Sequence, residues 1–350
     1  MAWQGIEGHD AIVQRFAAAQ ERGRIAGSYL FVGPPGVGKS SFALALAKSL
    51  TCQMPRPGLV ACGACGSCVQ AEAGSHPDID VVRKPEDKAT LPLDLFIGDD
   101  DHRMREGLCW RILLRPALGG RKVAVIMDAD HFSEESANCL LKTLEEPPDS
   151  AVIILIGTSL ERQLPTIRSR CQVIRFAPLP EDVVRRVIDR ESQVAAAPVD
   201  TSTLDSAARR ADGSLTRARL LLDPDVTAFR GRLLELLARR PLSGVEISRD
   251  TTAFVEAAGK EAPPRRARLK IVLDAALDVF RGAIRGHTAA TDDAAQGRAV
   301  AVWAVNPDVA TAAVEVTLDA ATDIERFVNL NVLIDAWTAM LEEPRLARPG

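Results

Sequence analysis

The chain has 350 residues, room for two or three domains, and its 47% hydrophobic content suits ordinary globular cores. A net charge of -4 argues against an autonomous nucleic-acid binder, which would be basic. No apolar run is long enough to span a membrane, and the N-terminus has no basic segment followed by an apolar one, so the expected compartment is the cytoplasm.

Residues 1–27 read as a helical lead-in: Ile12, Val13, Phe16 and Ala17 recur at helical spacing, with Asp10 as the expected cap. Tyr29–Val32 is a short apolar strand. Gly33–Ser40 then matches G-x-x-x-x-G-K-[ST], and Ser41–Leu50 reads as a helix with Ala43, Leu44, Ala47 and Leu50 on one face. Strand, loop and helix form the setting a phosphate loop needs. Gly33, Gly36 and Gly38 let backbone N–H groups turn inward at a helix N-terminus, which favours a polyphosphate. Lys39 is expected to reach the terminal phosphates, and Ser40, followed by Ser41, to ligate Mg²⁺. The ligand class is ATP with Mg²⁺.

Cys52, Cys62, Cys65 and Cys68 form C-x9-C-x2-C-x2-C, with Gly58, Gly63 and Gly66 as turns between them. In a reducing compartment, four thiolates on a compact loop suit one tetrahedral, structural Zn²⁺. An iron–sulfur cluster is the alternative, but a ferredoxin run continues to a C-P pair, and here Val69-Gln70-Ala71 follows. Cys109, Cys139 and Cys171 lie apart and read as buried small hydrophobes.

Ile79–Val82 is a second strand; Lys84–Asp101 reads as a loop exposed at both ends, around an apolar patch at Leu91–Ile97. Arg103–Leu114 has helical period, and Lys122–Asp128 is a buried strand ending in an acid. Ser133 caps a helix carrying Ala137, Leu140, Leu141 and Leu144, which Pro147 and Pro148 stop. Ala151–Ile156 and Cys171–Phe176 complete the strands, and Pro178 and Pro180 mark a boundary. Strands buried on both faces and separated by helices imply a parallel α/β sheet. Beyond lie helices at Glu181–Ser192 and Ser202–Leu222, interrupted at Gly213, and a boundary at Asp223–Asp225. Further helices are expected at Phe229–Leu237, Arg268–Ile284 and Ala312–Leu341, with a polar connector at Gly286–Gln296 and a frayed tail at Arg345–Gly350.

A phosphate loop needs an acid at the end of a neighbouring strand to hold Mg²⁺, and Asp128 has that place. The next residue, which in hydrolytic enzymes of this kind is a Glu that polarises water, is Ala129; Asp130 or His131 would have to substitute. This reads as a binding site without efficient hydrolysis. Thr158 and Ser159, after a strand, are candidates to touch a γ-phosphate. Arg170, in Ser169-Arg170-Cys171 before a strand, is an arginine that can reach a phosphate on a neighbouring subunit.

The chain resembles the clamp-loader subunits of bacterial DNA polymerase III, of the AAA+ superfamily. The resemblance rests on Ala26–Ser40, on Ser136-Ala-Asn-Cys-Leu-Leu-Lys-Thr-Leu-Glu-Glu-Pro-Pro148, on Leu164–Cys171 with its Ser-Arg-Cys element, and on the four-cysteine insertion. Gly213-Ser214-Leu215-Thr216-Arg217 extends it, and Asn329-Leu330-Asn331 does so weakly. It implies an α/β parallel-sheet P-loop domain over 1–178 with a zinc module at 52–68, a helical lid over 179–223 and an all-α collar over 224–350 that oligomerises. It also implies a ring that loads a sliding clamp on primed DNA, with motor subunits and a delta subunit as partners. The non-motor type lends its Ser-Arg-Cys arginine, here Arg170, to a neighbour's ATP site. Arg217 is the lid's nucleotide-sensing arginine by this resemblance, but Thr216 holds the position motor subunits give it, a displacement of about 100° on a helix. Ala129 and the shifted Arg217 favour the non-motor type. A motor ATPase and a stand-alone P-loop enzyme are the alternatives.

Overall fold

Five apolar runs pair into one parallel sheet in the computed structural model, which describes residues 3–85, 88–99, 101, 105–118, 120–195, 199–286, 294–326 and 329–342. The chain divides at Leu222 into two units. The first begins with α1 (Asp10–Glu21), β1 (Ser28–Val32), α2 (Lys39–Thr51), α3 (Gly66–Glu72), β2 (Ile79–Val82), α4 (Asp94–Ile97) and α5 (Leu108–Arg111). It continues with β3 (Lys122–Ile126), α6 (Glu134–Glu145), β4 (Ala151–Gly157), α7 (Pro165–Arg168) and β5 (Gln172–Arg175). The strand order is β2-β3-β4-β1-β5. All pairs are parallel, with Tyr29 beside Ile154 and Gln172, and Val123 beside Ile79 and Val152.

The three central strands are buried at every residue, and the edge strands β2 and β5 only in part. Side chains alternate across a strand. Tyr29, Phe31, Val125 and Ile154 therefore face α1 and α2 through Phe16, Phe42 and Leu46. Leu30, Ala124, Ile126 and Ile153 face the opposite layer, with Phe96, Ile112, Leu140 and Leu144. Ser133 caps α6 as expected: its hydroxyl accepts the Ser136 N–H at 3.1 Å, and the Ser136 hydroxyl accepts the Ser133 N–H at 3.0 Å.

A separate cluster follows, formed by α8 (Glu181–Val194), α9 (Thr201–Arg210) and α10 (Leu215–Leu222), around Val184, Ile188, Leu204 and Ala218. Gly213, at φ +76°, takes the left-handed turn between α9 and α10.

The second unit is helical: α11 (Pro224–Leu237), α12 (Gly244–Glu256), α13 (Ala262–Arg285), α14 (Ala294–Ala304), α15 (Pro307–Glu325) and α16 (Leu330–Glu342). Asp223 caps α11 by accepting the Asp225 N–H at 2.9 Å, with Pro224 at the first helical position. Helix α13 packs against α11, α12, α14 and α15. Two buried tryptophans find polar partners: Trp303 Nε1–H donates to Leu237 O at 2.9 Å and Trp337 Nε1–H to Thr317 Oγ1 at 3.0 Å. No single helix among the described residues is long and apolar enough to cross a membrane.

Several expectations are corrected. Asp10 is the first residue of α1, and His9 occupies the cap without a side-chain bond to the helix. Leu44 is exposed; α2 buries Phe42, Ala43, Leu46, Ala47 and Leu50 instead. The patch at Leu91–Ile97 folds inward, with Leu91 and Phe96 buried and α4 formed within it. Of the expected helix at 103–114, residues 103 and 104 lie outside the described residues, and among 105–114 only Leu108–Arg111 is helical. Ala312–Leu341 is two helices, not one, and α3, α7, α12 and α14 were not anticipated. The tail at 345–350 and most of the connector at 286–296 lie outside the described residues.

Candidate functional site

The buried strand β1 delivers the chain to Gly33, and α2 begins at Lys39. Gly38 takes the left-handed cap of α2 at φ +96°. Gly36, at φ +80°, is also required by close approach, since a Cβ there would stand 2.1 Å from Ser214 Oγ. The Leu215 N–H donates to Gly36 O at 2.8 Å, so the start of α10 is fastened to the loop. Behind the loop, His9 Nε2–H donates to Val37 O at 2.7 Å. His9 is buried edge-on against Phe176, and burial lowers its pKa against the opposing effect of the Val37 bond. His9 is a loop support that no motif marks.

Lys39 is turned into the loop itself: Nζ donates to Gly33 O at 2.5 Å and to Pro34 O at 2.7 Å. Burial brings its pKa down to about 8, against the opposing pull of the Asp130 carboxylate. The ammonium thus fills the position where phosphate oxygens would offer it better partners. Ser40 and Ser41 are exposed at the start of α2.

Asp128 follows β3 in a left-handed conformation, φ +58°, and is exposed. Ala129 is buried at 3% exposure. Asp130 accepts the Thr158 N–H at 2.8 Å and the amide of Gln163, so its oxygens hold the turn after β4. Thr158 and Ser159 are half-buried in that turn. Asp130 is thus the acid whose field reaches Lys39.

Arg170 lies between α7 and the edge strand β5. Its Nε–H donates to Glu145 Oε1 at 2.5 Å and one terminal nitrogen to Thr166 O at 2.9 Å. These bonds, with a further one from the same terminal nitrogen to Ser169 Oγ at 3.1 Å, orient a guanidinium that remains 28% exposed. Arg217 instead pairs with Asp212 at 2.9 Å.

The four cysteines converge at the end of α2. All four Sγ atoms lie within 4.8 Å of one another, with Cys52 to Cys65 at 3.9 Å and Cys62 to Cys68 at 3.8 Å. Thiolates about 2.3 Å from one tetrahedral ion stand about 3.8 Å apart, so the donor set fits a single metal ion. A multi-iron cluster spreads its four thiolates over two or more irons and needs a wider set. Backbone N–H groups of Cys62, Cys65 and Cys68 donate to the sulfurs of Cys52, Cys62 and Cys65 at 3.3–3.4 Å, which favours thiolates. Burial opposes ionisation of Cys65, but the N–H groups of Cys68 and Gln53 outweigh it and bring the thiol to about 6. Burial pushes Cys68 up to about 12, so a cation is needed to ionise the full set. The Trp3 indole N–H donates to Leu59 O at 3.1 Å and pins the tip of the module.

Comparison with known proteins agrees with this arrangement. The family described as DNA polymerase III, delta subunit, matches residues 8–180. DNA polymerase III subunit delta' of Escherichia coli K12 is 32% identical over 271 residues, covering 77% of this chain and 75% of that protein. The delta' subunit of Pseudomonas aeruginosa is 38% identical over 159 residues, 45% of each chain. DNA polymerase III subunit gamma/tau of Mycobacterium tuberculosis H37Rv is 31% identical over 260 residues, 72% of this chain but 43% of that one. The chain belongs to the DNA polymerase III delta-prime subunit family.

Proposed function

We propose that this chain is a non-motor subunit of a DNA polymerase III clamp loader. It works in the cytoplasm in a ring with motor and delta subunits, and it helps load a sliding clamp on primed DNA. In this reading residues 1–178 are the nucleotide-binding domain, 179–223 the lid and 224–350 the oligomerising collar. The cysteine module holds a structural Zn²⁺, which supports the fold and performs no chemistry. The observation that carries the reading is Ala129, buried where hydrolysis needs a carboxylate, beside an Asp130 whose oxygens are already bonded. The methyl group of Ala129 cannot take a proton from water.

The intact loop favours nucleotide binding. Gly33, Gly36, Gly38, Lys39, Ser40 and Ser41 would cradle ATP, Asp128 would hold Mg²⁺ through water, and Thr158, Ser159 and Arg217 would line the phosphate end. For the phosphates to enter, Lys39 must leave the Gly33 and Pro34 carbonyls. The isolated chain is therefore expected to bind ATP weakly to moderately and to turn it over negligibly, and Lys39→Ala should remove the binding. Bound phosphates raise the ammonium pKa above its free value of about 8, so binding takes up a proton above that pH. Affinity should be flat below pH 8 and fall at higher pH, by at most about tenfold per unit. Titration calorimetry across pH 6.5–9.5 checks this. The loop and the likeness to gamma/tau also support a second reading, a motor ATPase. Steady hydrolysis by the isolated chain, abolished by Lys39→Ala, would establish that reading instead.

A further inference from the structure

Beneath the cysteine module lies a polar network that nucleotide chemistry does not use. Ser67 and His76 are 0% and 5% exposed, and buried polar groups need matched partners. The matches determine the protons. The Asp78 N–H donates to His76 Nδ1 at 2.9 Å, so Nδ1 is bare and the ring proton is on Nε2. That Nε2–H donates to Ser67 Oγ at 2.8 Å. The hydroxyl proton is then directed at Thr51 O, 2.7 Å away. At the other end, the Asp78 carboxylate accepts the N–H groups of Ala117 and Leu118 at 2.7 and 3.0 Å and lies 3.7 Å from Lys122 Nζ. The chain of bonds is therefore rooted at the start of the sheet.

Its far end is what matters for the module. Thr51 immediately precedes Cys52, and Ser67 immediately precedes Cys68. The bond between them joins the two ends of the cysteine loop, each one residue from a sulfur. We propose that Ser67 and His76 are positioning residues for the four-thiolate site: the His76–Ser67–Thr51 chain closes the loop before metal arrives and so sets its affinity for zinc. The inference rests on the zinc reading of the module. Without this closure the two ends must be ordered by the metal itself, and that entropy is subtracted from binding.

The test uses the full chain and zinc alone. Affinity is measured by competition with a chromogenic chelator, and thermal unfolding of the metal-free protein is recorded beside it. Ser67→Ala removes the closing hydroxyl. In His76→Asn the amide oxygen replaces Nδ1 and keeps the Asp78 bond, but the side chain is too short to reach Ser67. His76→Gln retains a donor at the Nε2 position. Ser67→Ala and His76→Asn should weaken zinc roughly 10- to 100-fold, the range found when partners of metal ligands are removed. His76→Gln should recover most of the loss, and the loss of zinc affinity should exceed what any lowering of the metal-free midpoint accounts for. Unchanged zinc affinity in Ser67→Ala and His76→Asn overturns this inference alone. So does a loss that only tracks a lowered metal-free midpoint. A wild-type chain that takes up no zinc overturns the module's reading and this inference with it.

Discussion

Arg170→Ala is expected to leave the chain folded and assembled while lowering the DNA- and clamp-stimulated ATPase of the reconstituted complex. The fold should survive because the Arg170–Glu145 pair is partly exposed, at 28% and 48%, and such pairs contribute about 0–1 kcal/mol. The rate should fall because an arginine supplied in trans stabilises charge developing on the transferred phosphoryl group. Its removal costs about 10³–10⁵ at the site it serves. Sites fed by other subunits would continue, so the measured loss is a share of the total, not the whole. Glu145, the Thr166 carbonyl and Ser169 Oγ orient the guanidinium, and its exposed part is what a neighbour's phosphate would meet. Lysine cannot present that planar fork, so Arg170→Lys should behave like Arg170→Ala. The measurement is stimulated ATP turnover and clamp loading for complexes that differ only at residue 170. Equal rates, with the variant verified in the complex, would return Arg170 to an ordinary surface pair.

The phosphate loop and the sheet were readable because their causes are local. Gly33–Ser40 is a contiguous signature between a strand and a helix, and β3 and β4 are apolar at nearly every residue because both their faces are covered. The order β2-β3-β4-β1-β5 was not readable, since crossovers leave no mark on the strands they join. Leu44 shows the limit of periodicity. It shares a helical stripe with Ala47, but Phe42 and Leu46 decide which stripe meets the sheet. Helix α12 was missed because it opens on Gly244 and carries Thr251 and Thr252, poor helix formers tolerated once Ser243 caps the N-terminus and Ile247, Phe254 and Val255 are buried.

At the site, residue types were legible but their commitments were not. Which oxygens Lys39 grips, and that Asp130 is taken by Thr158 and Gln163, depend on contacts across loops. The four cysteines were visible from spacing alone. The His76–Ser67–Thr51 closure beneath them was not, because neither a lone His nor a lone Ser carries a signal without its partners.

Replacing Cys65 with serine is expected to unfold the module from Cys52 to Cys68 while the sheet persists. Four thiolates on one ion contribute folding free energy directly, about 10–16 kcal/mol of binding in small structural zinc sites near neutral pH. A three-thiolate remnant keeps only part of that. The module has little else to hold it: its buried cluster is the cysteines themselves with Ala61, and its further ties are a few hydrogen bonds, among them Trp3–Leu59, Ser67–Thr51, His76–Ser67 and Arg56–Val60. The sheet has its own cores on both faces, to which the module gives only Leu59 and Val60, so the damage should stay local. Protein purified without added metal should carry one zinc per wild-type chain and well under one in Cys65→Ser. Limited proteolysis should cut the variant between residues 53 and 67 and spare the wild type. Chelation of the wild type should reproduce that cleavage, and zinc should reverse it. Iron with a visible absorption band, or a metal-free wild-type chain that resists protease as well as the loaded one, would rule out zinc as the element that folds this loop.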